Sequence, residues 1–223
     1  MGMSKSTVHG LIATLEKCGY MRQDPRSGKY SLGIRLFEMG QAYVSNLDLR
    51  EIALLYLREL SIHYQETTHL AVLSGEEVVY IDKVDGPRSI GIRSQVGGRN
   101  PAYCTGVGKV LLSGLDERQI DSMYAGKTLK KYTENTVGDL AGLIHQIRQV
   151  REQGYAYDME EFELDLRCIA APVRDSEGAV IAAISLSGPS NRLLDTKMDD
   201  IAINLVKTAL QISRRLGYKD KLK

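Results

Sequence analysis

The hydrophobic period of this chain changes at Thr68. Before it, apolar residues recur at helical spacing. Val8, Leu11, Ile12 and Leu15 form one face of a helix that Ser4 caps and Gly19 stops. Residues 34–46 (Leu36, Phe37, Gly40, Val44) and 49–64 (Ile52, Leu55, Tyr56, Leu60) read as two more helices, the second capped by Asp48. Between the first two helices, residues 20–23 and 29–32 flank the turn Asp24-Pro25-Arg26-Ser27-Gly28, which is hairpin chemistry. A helix followed by a hairpin is the order of the second half of a winged helix-turn-helix. No long Gly/Ser linker follows, so helix joins this piece to the rest.

After Thr68 short alternating runs take over. Residues 70–73 and 78–81 flank Gly75-Glu76 as a hairpin. Residues 89–96 read as a third strand, broken by Gly97-Gly98 and Pro101. Residues 104–112 form a short helix entered through Thr105-Gly106, and 116–124 and 139–153 two further helices. Strands are expected at 155–159, 166–174 and 179–187, the last two joined by Asp175-Ser176-Glu177-Gly178. Residues 196–216 form a closing helix with Met198, Ile201, Leu205, Ala209 and Ile212 spaced for burial. About six strands, mostly hairpin-linked with helices grouped around them, predict an α+β fold with an antiparallel sheet rather than βαβ repeats. The expected division is 1–33, 34–47 as a connecting helix, and 48–223.

At 223 residues the chain has room for one or two domains with a real core. Hydrophobic residues at 43% and charged residues at 26% exclude general disorder. Cys18, Cys104 and Cys168 are too scattered for a disulfide framework, and no CxxC pair suggests a zinc ribbon. The longest apolar run, 179–186, is far short of the roughly 20 residues of a membrane helix. The start lacks a secretory apolar region, so a reducing cytoplasm is expected. Residues 1–33 carry five basic against two acidic side chains, the remainder 24 against 26. A basic piece on a neutral body suits a nucleic-acid arm, and a solvated surface equally.

Three places can carry chemistry. Lys5, Ser6, Thr7, His9 and Gly10 lie outward on the first turns of the N-terminal helix, where short donors suit a major groove, and Arg26 and Lys29 can reach phosphate from the hairpin. A solvated amphipathic helix is the competing reading. Second, the helix entered at Thr105 exposes its first amides, those of Gly106 and Val107, to an anion, and Gly106 and Gly108 permit close approach of a ligand. Tyr103 and Val110 break the P-loop pattern, and glycines for tight helix–sheet packing are an equal alternative. Third, Ser185 and Ser187 share a sheet face, and Cys168 and Asp158 join them in a candidate small-acid pocket. The plainer alternative, favoured on these residues alone, makes the serines edge-strand solvent contacts and Cys168 a buried filler.

Catalysis is thinly supported. Cys104 or Cys168 as a nucleophile needs a basic partner, and His9, His63, His69 and His145 show no metal or cysteine-linked spacing. No metal or cofactor is expected. The acidic run Asp158, Glu160, Glu161, Glu163, Asp165 reads as a solvated loop.

Ser4-Lys5-Ser6-Thr7-Val8-His9, followed by Leu11 to Glu16, resembles the recognition helix of IclR-family bacterial regulators, and residues 24–33 resemble their wing. Residues 105–112 resemble the family's signature helix, and 168–173 with 182–189 its effector-domain hairpin. The resemblance runs over essentially the whole chain. It implies a winged helix-turn-helix joined by a helix to a GAF-like effector domain, in a homodimer or homotetramer that binds pseudo-palindromic operator DNA, commonly as a repressor. It further implies a small organic acid effector, such as a 2-oxo acid, held by the backbone of Gly106 and Val107 and by Asp158, Cys168, Ser185 and Ser187, with Ile92 and Leu166 as apolar walls. That outweighs the edge-strand alternative. Tyr103 stands where many members have His, and would narrow or cap the pocket. Gly10 stands where the recognition helix often carries Arg. The family's two preceding helices do not occur before Ser4, so Val8, Leu11 and Leu15 call for cover from preceding chain or a partner. Two rival readings follow: a sensor that binds DNA poorly in this form, and a GAF-like cysteine-dependent redox enzyme.

Overall fold

A computed structural model describes residue 2 and residues 4–45, 48–88 and 94–219. The chain divides into two compact units, Met1–Asp48 and Leu49–Lys223.

In the first unit, α1 (Lys5–Lys17) starts where the Ser4 hydroxyl accepts the Thr7 amide at 3.2 Å. It ends at Gly19, whose φ of 79° needs no Cβ penalty. Strands β1 (Met21–Gln23) and β2 (Tyr30–Leu32) pair antiparallel, with Met21 opposite Leu32. The Asp24 carboxylate accepts the Arg26 amide at 2.7 Å and sets the turn. Helix α2 (Ile34–Ser45) follows. No residue of α1 is buried, and Leu11 keeps 50% of its surface. The apolar stripe of α1 is only partly covered: it packs on β1, and Val8, Leu11 and Leu15 stay exposed.

The second unit opens with α3 (Asp48–Tyr64). Six strands follow: β3 (Thr67–Ser74), β4 (Glu77–Val84), β5 (Arg99–Pro101), β6 (Ala156–Met159), β7 (Leu166–Arg174) and β8 (Val180–Pro189). They form one antiparallel sheet in the order β5-β4-β3-β8-β7-β6. The α+β expectation holds. One face packs against α4 (Gly106–Ser113), backed by α5 (Glu117–Tyr124) and α6 (Leu140–Gln153). Ala170, Ala183, Ala71 and Val78 meet Val107, Val110 and Leu111 there. The other face carries Leu70, Ile169, Ile184 and Leu186, all fully buried. Helix α7 (Asp195–Arg215) packs on that side of β7, and the Thr68 hydroxyl donates to the Leu57 carbonyl of α3.

Several expectations change. Pro101 does not break a strand but ends β5, the sheet edge, where a missing N–H costs no ladder bond. The strand expected at 89–96 falls largely on residues outside the described ones. Ser185 and Ser187 are not on an edge: β8 lies between β3 and β7. Gly108 serves packing, since a Cβ there would sit 2.1 Å from the Ala102 carbonyl oxygen. The acidic run is not simply solvated. Glu161 is buried and ion-paired with the equally buried Lys109 of α4. No described helix is long and apolar enough to cross a membrane.

Candidate functional site

Alternation along β8 puts Ser185 and Ser187 on the α4 side of the sheet. Register then brings the neighbours into place: Cys168 faces Ser187 across β7, and His69 faces Ser185 across β3. Asp158 lies opposite Cys168 on β6. These five side chains form the floor of a cavity of about 140 Å³.

The first turn of α4 forms its end wall. Thr105 caps the helix, and its hydroxyl accepts the Gly108 amide at 3.2 Å. Gly106 and Val107 precede any residue that has an intrahelical acceptor for its N–H, so their amides present donors and the positive end of the helix dipole. A Cβ on Gly106 would meet Ala170 at 3.5 Å, an ordinary contact.

The loop after β6 forms the roof. It is bounded by two residues in the left-handed region, Glu160 (φ 64°) and Asp165 (φ 63°), which fold it back over the sheet. Thr133 and Thr136 donate to the carbonyls of Glu160 and Glu161 at 2.7 and 2.6 Å. This holds Phe162 and Glu163 against the cavity, with Leu166 beside them.

Opposite the helix start stands a polar wall. His69 Nε2 is 2.7 Å from the Ser94 hydroxyl, and Nδ1 is 3.3 and 3.5 Å from the hydroxyls of Ser185 and Ser187. Asn100 donates to the Tyr80 hydroxyl at 3.2 Å. Burial, with the Lys83 ammonium nearby, lowers His69 to about 3, so its ring is neutral and offers one donor and one acceptor. Burial raises the Asp158 carboxyl to about 7 against the pull of Lys109, so near neutral pH it both accepts and donates. One of its oxygens already accepts the Glu161 amide at 2.8 Å. Burial pushes Cys104 up to about 12 and Cys168 well above the ordinary thiol range. Neither is poised as a thiolate nucleophile.

Of the residues singled out in the sequence, Gly106, Val107, Asp158, Leu166, Cys168, Ser185 and Ser187 meet in this one cavity. Ile92 lies outside the described residues. Tyr103 does not cap the cavity. Its hydroxyl donates to the Lys130 carbonyl at 2.6 Å, and its ring lines a different hollow, because the chain from Pro101 to Thr105 passes between the two. The sequence reading missed His69, Tyr80, Ser94, Asn100 and Glu163, along with Thr105 and Phe162 as walls. A histidine beside Leu70-Ala71-Val72 was a faint signal, but its serine partners are 116 and 118 residues away. On the first unit, Lys5, Ser6, Thr7 and His9 are exposed on the opening turns of α1, and Arg26 and Lys29 on the hairpin turn. Among the described residues no cluster of three His, Cys, Asp or Glu could hold a metal.

The family model for the C-terminal part of IclR bacterial transcriptional regulators matches residues 41–214, and that for the IclR helix-turn-helix domain matches residues 1–25. The chain belongs to the IclR family. It is 41% identical over 218 residues to the HTH-type transcriptional regulator XynR of Escherichia coli, covering 98% of this chain and 86% of XynR. KdgR of the same organism is also 41% identical, over 98% of this chain and 83% of its own. The crystal structure of Thermotoga maritima IclR superposes with a TM-score of 0.77 at 32% identity, covering 97% of this chain and 87% of that one. This IclR-family chain is therefore a DNA-binding transcriptional regulator, and the redox-enzyme alternative is set aside.

Proposed function

We propose that this regulator senses a small hydroxylated carboxylic acid in the cavity at the start of α4. The observation that supports it is the convergence of the Gly106 and Val107 amides with Ser185, Ser187 and Asp158 on one buried hollow. No cation lines that hollow among the described residues, since Lys109 lies behind it, paired with Glu161. A carboxylate there is held by backbone amides and hydroxyls, as helix starts hold anions elsewhere. His69, Ser94, Asn100 and Tyr80 on the facing wall suit hydroxyl or oxo groups further along the ligand, while Leu166 and Phe162 leave room for a short carbon chain.

Residues 1–33 grip operator DNA, with Lys5, Ser6, Thr7 and His9 at base edges and Arg26 and Lys29 on phosphate. Residues 34–47 connect them to a sensing and oligomerising domain at 48–223. The working unit is a cytoplasmic homodimer or homotetramer acting as a repressor, and effector binding shifts its DNA-competent state only as far as it favours one state over the other. A panel of small carboxylates in a thermal unfolding assay tests the sensor. An acid at 100-fold its Kd stabilises by about 2.7 kcal/mol, and Ser185→Ala with Ser187→Ala removes the shift. A flat response across the panel refutes this ligand class. Binding of the regulator to its own upstream DNA at low salt tests the other half. Arg26→Ala with Lys29→Ala should lower the log–log salt slope by roughly 2 for each DNA-bound subunit, and an unchanged slope removes them from the interface.

A further inference from the structure

A second cavity, of about 380 Å³, opens between the β3–β4 turn and the loop after α5. It shares no lining residue with the first. Its walls are tyrosines. Tyr103 and Tyr124 meet edge to face with centroids 6.2 Å apart, and Tyr132 carries the Lys130 ammonium 4.6 Å above its ring.

Two features of this hollow are unexplained by folding. Tyr124 is 3% exposed, and its hydroxyl has no hydrogen-bond partner. A buried hydroxyl without a partner destabilises a fold, and phenylalanine would bury the same ring without that cost. The second feature is charge. At the rim Lys127 pairs with Glu76, and Arg99 pairs with Glu77 at 2.7 Å. Lys130 also lines the cavity, and no carboxylate pairs with it among the described residues. The local balance is one positive charge beside an orphaned donor, inside aromatic walls.

We infer that this cavity is a second ligand site, which takes an aromatic carboxylate. The aryl ring lies among Tyr103, Tyr124 and Tyr132, where offset and edge contacts favour another ring. The carboxylate meets Lys130 and accepts a hydrogen bond from the Tyr124 hydroxyl, satisfying both. The site adjoins the first cavity along one short segment: Asn100 and Thr105 line the first, Pro101 and Tyr103 the second. The Tyr132 ring also packs at 5.0 Å on Phe162, which roofs the first. Occupancy of the second site thus bears directly on the walls of the first.

The probe is 4-fluorobenzoate, followed by broadening of its fluorine signal on the full chain and by displacement with unlabelled benzoate. Saturable, displaceable binding is expected. Lys130→Ala should weaken it at least about tenfold, Tyr124→Phe should weaken it as well, and Ser185→Ala with Ser187→Ala should leave it unchanged. Tyr124→Phe should also raise the unfolding temperature of the ligand-free protein, which shows that the variant folds and that the hydroxyl costs stability. Three results overturn the inference: no saturable binding, binding lost in the serine variant, or binding indifferent to Lys130→Ala and Tyr124→Phe together.

Discussion

His69 and Ser185 stand opposite each other across the β3–β8 pairing, with the imidazole Nδ1 3.3 Å from the serine hydroxyl. The ring's other nitrogen is 2.7 Å from Ser94, so one neutral histidine ties three hydroxyl residues into a single wall. With its protonation lowered to about 3, this ring stays uncharged through the physiological range. In an NMR titration from pH 5 to 8, the His69 ring signals should stay flat. A midpoint for His69 near 6.5 would show the wall open to water.

Asp158 has the opposite linkage. Its folded value is near 7, above its ordinary 3.8. Between those values the folded chain holds a proton that the unfolded chain has lost, so this group makes stability fall as pH rises. Relative to wild type, Asp158→Asn should therefore gain stability across that window, by about 1.4 kcal/mol per pH unit at most. His69 acts in reverse below 6.5, because the unfolded chain protonates there first, so the two effects largely cancel in the wild type. Urea unfolding of both proteins at pH 5, 6 and 7 measures the difference, and parallel curves would refute the assignment.

The same proton bears on the ligand. A carboxylate binds best while Asp158 can donate, so affinity for an acid in the first cavity should drop between pH 6 and 8, toward a tenfold loss per unit above the Asp158 midpoint. Calorimetry at the two pH values checks it, and Asp158→Asn should bind with no such dependence.

Lys109 and Glu161 are buried together beneath the site. Removing one partner strands the other charge. Lys109→Met should cost roughly 3–5 kcal/mol, and adding Glu161→Gln should recover much of it. Denaturant midpoints of the single and double variants decide this, and equal losses would mean that the pair contributes geometry rather than charge balance.

Two glycines two residues apart should respond differently. Gly108→Ala drives a Cβ into the Ala102 carbonyl and should destabilise by at least roughly 2 kcal/mol. Gly106→Ala meets only ordinary contacts and should stay within about 1 kcal/mol of wild type. Thermal unfolding of the two variants compares them directly.

The thiols give a separate check. Cys104 is buried and Cys168 half-buried in the cavity floor, both with their thiolates disfavoured, whereas Cys18 is exposed. A thiol reagent at neutral pH should label Cys18 quickly, Cys168 far more slowly, and Cys104 only on unfolding. Fast labelling of Cys168 would reopen a redox role.

The sequence by itself determined whatever is written within a few consecutive residues. The caps at Ser4, Thr105, Asp116 and Asp139 start helices where the cap chemistry says they should. Alternation put Ser185 and Ser187 on one face, and the motifs around Thr105 and Cys168 named the family. Tertiary structure decided what depends on strand order. Placing β8 between β3 and β7 turned two serines from edge contacts into a buried floor, and brought His69 to them from 116 residues away. It also turned Tyr103 toward the second hollow, gave Gly108 its reason in the Ala102 carbonyl, and paired Lys109 with Glu161. Periodicity and capping are local free energies of one element, legible in a short window. A cavity wall is a sum of contacts between distant segments, and only the packed sheet specifies which segments meet.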